Sequence, residues 1–208
     1  MTPTVVAVGG FTSNSGKTGL VCELLRAFPG WEAIKVSRGH YRSCGRDPQA
    51  CCVAPLLGEE PTVRSGRAET YAPGKDTGRY WDAGASNVHW LVATDRQIGR
   101  GVAAALARVR APGVVVEGNS YLKHVAVDFA VMAARSSGEI KPTARRALAF
   151  ASAFYLSDEE GADARARFDE WRARFGGEGL IARLPVYTRG ELPRLVARLR
   201  AIHQRAAA

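Results

Sequence analysis

Apolar positions fall along the chain in two alternating rhythms. Short runs almost without polar interruption stand at 4–8, 31–36, 88–93, 113–117, 127–133 and 152–156. Continuous runs of this length predict strands buried on both faces. Between them the spacing turns helical. Leu20, Leu24 and Leu25 share a face of 16–28, which Pro29-Gly30 closes. Residues 101–109 form an Ala-rich helix, and 144–150 a short one. Ser157 and Glu160 have capping-box spacing and open a helix with Phe168, Trp171 and Phe175 on one face, stopped by Gly176-Gly177. From Glu191 onward Leu192, Leu195, Val196, Leu199 and Ile202 form a stripe opposite Arg194, Arg198 and Arg205, the pattern of a docked helix with a solvated face. Residues 38–80 are polar, punctuated by Gly and Pro, and show neither period. The alternation predicts one α/β domain over 1–208, with three layers and a mostly parallel central sheet, interrupted by a long irregular insertion at about 38–80 that contains cysteines. Ligands of such folds bind at the carboxyl ends of the strands.

Composition adds little to the fold and more to the chemistry. With 208 residues, 46% hydrophobic and 24% charged, the chain is an ordinary globular one. No apolar run reaches the roughly 18 residues of a membrane span. Met1 to Val8 lacks the basic region of a signal peptide, so the expectation is a cytoplasmic protein with reduced cysteines. Lys and Arg total 29 against 20 acids, a net charge of +9 that favours anionic partners. Aromatic residues interleave too sparsely with the basic ones for a nucleic-acid surface. Only five of the 29 are lysines: Lys17, Lys35, Lys75, Lys123 and Lys141. Against so strong a bias toward arginine, each remaining lysine marks a position where a compact charge suits better than a planar fork.

The first of them stands in Val8-Gly-Gly-Phe-Thr-Ser-Asn-Ser-Gly-Lys-Thr18, between the first strand and the first helix. Gly-Lys-Thr in that place is the end of a phosphate-binding loop. Backbone amides and the helix dipole there favour an anion. Gly10, Ser13, Asn14, Ser15, Gly16, Lys17, Thr18 and Gly19 are the candidate nucleotide-binding residues, for ATP or GTP. Lys17 would sit on the β- and γ-phosphates and the Thr18 hydroxyl on Mg²⁺. The usual spacing would put Gly at 11, where Phe11 stands. Two strand ends supply an acid for Mg²⁺: Glu117, after Val114-Val-Val, and Asp95, after Leu91-Val-Ala-Thr. Lys141 lies in a loop after a late strand, suited to contact base or phosphate or simply to start a helix. Lys123 and His124 follow the Glu117 strand and can reach a substrate. His89 reads as core and His203 as surface.

These motifs together resemble the molybdopterin-guanine dinucleotide biosynthesis protein B family of P-loop NTP-binding proteins. The likeness rests on Ile34-Lys35 followed by His40, on Pro73-Gly74-Lys75-Asp76-Thr77 with Arg79 and Ala83-Gly84-Ala85, and on Glu117-Gly118. It spans roughly residues 4–120. The loop, with five residues between Gly10 and Gly16, is also similar to that of dethiobiotin synthetase. The resemblance implies an Mg²⁺-dependent NTPase of cofactor maturation, with a pterin cofactor or a metalloenzyme as partner and a homodimer as assembly. It places Lys75 and Asp76 near the nucleotide or the partner cofactor, and gives Lys17, Asp76 and Glu117 as the catalytic set.

His40, Cys44, Cys51 and Cys52 cluster in the insertion, whereas Cys22 reads as a core residue. Thiolates with a histidine suit Zn²⁺ or an iron–sulfur cluster, although C-x₆-C-C is not the spacing of common zinc sites. Structural thiols, a redox pair or capture of a client are the alternatives. Two other functions remain open beside the NTPase. One is an ATP-dependent kinase or ligase of a small carboxylate; the other is a nucleotide-switched metal or cofactor chaperone using the cysteine loop.

Overall fold

The computed structural model describes residues 2–39, 53–136, 139–158, 162–176 and 179–207. The sheet is built from β1 (Thr4–Gly10), β2 (Glu32–Arg38), β3 (Thr62–Ser65), β4 (Val88–Ala93), β5 (Gly113–Glu117), β6 (Phe129–Ala134), β7 (Ala153–Leu156) and β8 (Val186–Tyr187). Their order is β3-β4-β2-β5-β1-β6-β7-β8 among the described residues, all neighbours parallel except the β3–β4 pair. The strand period of two divides each apolar run between the faces. Val5 and Ala7 of β1 join one core, Val6 and Val8 the other; Val114 and Val116 of β5 lie opposite Val115. The first core is covered by α4 (Ile98–Leu106), α5 (Pro142–Ala147) and α6 (Ala162–Gly176). The second is covered by α1 (Lys17–Ala27), α3 (Asp76–Asp82) and α8 (Leu192–Ala207). This is a three-layer α/β fold around a mostly parallel sheet. No described helix is long and apolar enough to cross a membrane.

Residues 38–80 contain more regular structure than their pattern predicts. A 3₁₀ turn (Ala54–Leu56), β3, α2 (Arg67–Thr70) and the first residues of α3 lie within them. The strand β3 has a single strongly apolar residue, Val63, and is half-buried throughout. It is an edge strand that pairs by its backbone, so no alternation marks it. At the other edge β8 is two residues long, and α7 (Leu180–Arg183) is one turn, both too short to carry a period. The Ala-rich helix begins earlier than expected, at Ile98. Gly101 lies inside it because Leu91 and Pro61 approach too closely for a side chain.

The capping box expected at Ser157 extends to Glu160, outside the described residues. The Ser157 hydroxyl donates to the Ala134 carbonyl at 3.3 Å. A capping box that the hydrophobic reading passed over closes at Thr188 and Glu191, ahead of α8. His89 is buried, as its strand position predicts, with Nε2 2.7 Å from Glu32 Oε2. The other Glu32 oxygen accepts the amides of Arg110 and Ala111 at 2.9 and 3.0 Å, so the buried acid is satisfied. His203, expected on the surface, is half-buried: it pairs with Thr4 at 2.8 Å and meets Trp31 edge-on. Cys22 is buried in the α1 core, and burial raises its thiol above the ordinary range.

Candidate functional site

The chain leaves β1 at Gly10 and re-enters regular structure at Lys17. Gly16, the residue before α1, has φ 78°, a left-handed conformation that glycine adopts without a Cβ clash. At Gly10 space decides: a Cβ there would meet the Ser15 hydroxyl and the Lys17 side chain. The Gly10 backbone is held from the neighbouring strand end, its amide donating to Asn119 Oδ1 and its carbonyl accepting from Asn119 Nδ2, both at 2.8 Å. Phe11, where the usual spacing requires Gly, does not take part in the turn. It continues the β1 pairing, with its amide 2.9 Å from the Ala133 carbonyl, and is fully buried against Phe154, Phe168 and Trp171. The extra loop residue is thus absorbed into the strand and the α6 core.

Cations hold the rest of the loop. Lys17 Nζ donates to the Thr12 and Ser13 carbonyls at 2.6 and 3.2 Å. Lys141 Nζ lies 2.5 Å from Ser13 Oγ, and Arg135 Nε donates to the Asn14 carbonyl at 2.9 Å. Ser15 is buried, its hydroxyl on the Thr12 carbonyl at 3.1 Å. Burial lowers the Lys17 pKa and the charges of Lys35 and Lys141 lower it further, against the pull of Glu117 and Asp76. An anion in the loop would relieve that repulsion.

Three oxygen-bearing side chains converge below the loop. Thr18 Oγ1 is 3.1 Å from Asp76 Oδ1 and 3.0 Å from Glu117 Oε2. Lys35 Nζ bridges the remaining oxygens, at 2.5 Å from both Asp76 Oδ2 and Glu117 Oε1. Tyr80, fully buried, donates its hydroxyl to Glu117 Oε2. Glu117 is itself buried, so Thr18, Lys35 and Tyr80 replace its water. Burial alone would lower the Lys35 pKa, but Glu117 and then Asp76 outweigh it and raise it. Burial likewise opposes the ionised Asp76, yet Lys35, Thr18 and Arg79 bring its pKa below the ordinary value. Burial first, and Glu117 second, push Tyr80 well above the usual tyrosine range, so it stays a donor.

These groups face a cleft of about 1190 Å³ at the carboxyl ends of β1, β2 and β5. Gly10, Ser13, Asn14, Gly16, Lys17, Thr18 and Gly19 line it, together with Lys35, Asp76, Glu117 and Lys141. Two carboxylates and a hydroxyl are hard oxygen donors, the set that suits Mg²⁺. Among the described residues no group of three or more His, Cys, Asp and Glu side chains is placed to hold a metal. A cation here would draw on Thr18 and these two carboxylates, with its remaining ligands brought by a nucleotide. Asp95 is not part of this cluster. Its side chain is 65% exposed and pairs with Arg38 at 3.0 Å. Lys75 precedes α3, exposed, and does not line the cleft. His40, Cys44, Cys51 and Cys52 lie outside the described residues.

Tyr80 and Asn119 are absent from the sequence-based candidate set. Tyr80 stands four residues after Asp76, on the same face of α3, and Asn119 two residues after Glu117; that spacing gives their positions but no sign that either polar group is used.

No family model matches the chain, and no curated protein matches it. Its structure is similar to the "apo" form of LpxK from Aquifex aeolicus in complex with ATP, at 15% identity and a TM-score of 0.48, over 90% of this chain and 54% of that one. It is also similar to a Zn(II)-bound triple mutant of the YjiA GTPase, at 14% identity and a TM-score of 0.46, over 90% of this chain and 58% of that one. The chain thus spans little more than half the length of either solved chain. At such identity neither likeness carries an activity over to it.

Proposed function

We propose that this protein is an Mg²⁺-dependent nucleoside triphosphatase that binds ATP or GTP at the β1–α1 loop. The observation that carries this reading is the convergence of Thr18, Asp76 and Glu117 directly beside Lys17. The loop amides and Lys17 take the β- and γ-phosphates, Lys17 exchanging the Thr12 and Ser13 carbonyls for phosphate oxygens. Lys141 supplies a second cation from across the loop. Thr18, Glu117 and Asp76 are the residues to hold Mg²⁺, which when bound would offset charge developing on the phosphates. Lys35 bridges the two carboxylates and holds them side by side, so that either can orient a water. Catalysis in this reading is positioning and charge neutralisation.

The Pro73–Ala85 stretch and Glu117-Gly118 favour a role like that of the molybdopterin-guanine dinucleotide biosynthesis B proteins, with turnover serving the maturation of a pterin-type cofactor. The test is phosphate release from Mg²⁺-ATP and Mg²⁺-GTP. Slow release is expected, lost in EDTA and lowered at least about 100-fold in Glu117→Gln, the scale of losing one charge-stabilising group. Release that persists undiminished in EDTA, or in the variant, would sink the assignment.

A further inference from the structure

A second cavity, of about 190 Å³, opens beside the cleft and shares Arg38, Asn119, Ser120 and Thr143 with it. Its own walls come from Asp95, Ile98, Lys123, Arg146, Ala147 and Phe150. Three cations thus face one carboxylate, and that carboxylate, Asp95, is already paired with Arg38. Lys123 and Arg146 are exposed and have no ion-pair or hydrogen-bond partner among the described residues. The Ser120 and Thr143 hydroxyls at the junction likewise have none. Such a wall attracts an anion and offers it unspent donors.

The floor is apolar. Phe150 is 43% exposed, the one large hydrophobic side chain so exposed among the described residues. Leu148, two residues before it in the same 3₁₀ turn, is fully in the core, so the turn does not need Phe150 for packing. On its far side Phe150, with Lys123, borders a furrow of about 440 Å³ that also contains Val125 and Val127. Cationic walls over an exposed aromatic floor are the make-up of a small-molecule site.

We infer that this cavity binds a small organic anion, a carboxylate or phosphate joined to an apolar group, with its charged end against Lys123 and Arg146 and its apolar part on Phe150. The anion site stands on these residues alone. Its place as the site of a second substrate, beside the triphosphate, rests on the nucleotide reading above.

The experiment is calorimetric titration with benzoate and phenyl phosphate, which distinguish the two acid types, and with benzamide as the neutral control. Wild type, the double variant Lys123→Ser/Arg146→Ser and Lys17→Ala are compared, and each is also titrated with Mg²⁺-ADP. At least one anion is expected to bind the wild type about tenfold or more tightly than benzamide, the scale of one charge-assisted hydrogen bond. The double variant should lose that preference while binding ADP as the wild type does, and Lys17→Ala should keep it. Anions that bind no better than benzamide overturn the inference. So does a preference that survives the double variant or disappears in Lys17→Ala, since the anion would then sit in the phosphate loop. Failure of ADP to bind the wild type counts against the nucleotide reading and not against the anion site.

Discussion

Asp76 and Tyr80 lie one turn apart on α3, and both bear on Glu117. Asp76 meets Glu117 through Lys35 and Thr18, while Tyr80 reaches it directly. Lys17, Thr18 and Glu117 stand out in the sequence because glycines and a strand end mark them, whereas Asp76 enters only through the family resemblance, and the second strand-end acid, Asp95, lies elsewhere. Tyr80 does not stand out, since a buried aromatic on a helix has the same signature whether its hydroxyl is used or not. Its removal distinguishes the two. Tyr80→Phe keeps the ring and deletes one donor to a buried carboxylate, which costs about 1–3 kcal/mol. Chemical denaturation should show that loss with an unchanged dependence on denaturant. A variant as stable as the wild type would mean that the hydroxyl contributes nothing to holding Glu117.

At the scale of elements, Phe11 explains how a loop with unusual spacing still closes. The residue where a glycine is usual joins β1 to α6 through an aromatic cluster of Phe154, Phe168 and Trp171, and Trp171 stacks on Phe175. No sequence pattern links the α6 stripe to the loop, because the contact between them is long-range. Phe11→Ala opens a cavity in this cluster and should cost about 3–5 kcal/mol by thermal or denaturant unfolding, the range for buried aromatic truncation. A loss under about 1 kcal/mol would show that α6 does not depend on the loop.

The start of α8 offers a pH test. Burial opposes the charge of Glu191, but the Thr188 amide, then Arg165 and Arg194, hold its pKa below the ordinary glutamate value. A carboxylate lowered on folding stabilises above its unfolded pKa and loses that contribution as pH falls through the folded one. Glu191→Gln should therefore be less stable than the wild type near neutrality, by about 1 kcal/mol for a cap. The gap in melting temperature should close below the glutamate range, and a gap constant with pH would exclude the charge as its source.

Over the whole molecule, the parts read most surely from sequence were the strands with both faces buried. In β1, β5 and β6 nearly every position is apolar, since helices cover each side of the sheet. The short edge strands β3 and β8 escaped because backbone pairing at an edge requires no apolar pattern. The bias against lysine was informative beyond the fold. Lys17, Lys35 and Lys141 line the cleft and Lys123 the cavity beside it, whereas Lys75 alone stands apart. Much of the arginine excess lies on α6 and α8, away from the cleft. The central claim is that the loop binds a nucleotide through Lys17. Isothermal titration of Mg²⁺-ATP and Mg²⁺-GTP into the wild type and a folded Lys17→Ala variant measures this directly. The account predicts saturable binding of at least one nucleotide, weakened about tenfold or more in the variant, ~1.4 kcal/mol. Binding of neither nucleotide, or equal affinity in both proteins, would contradict it.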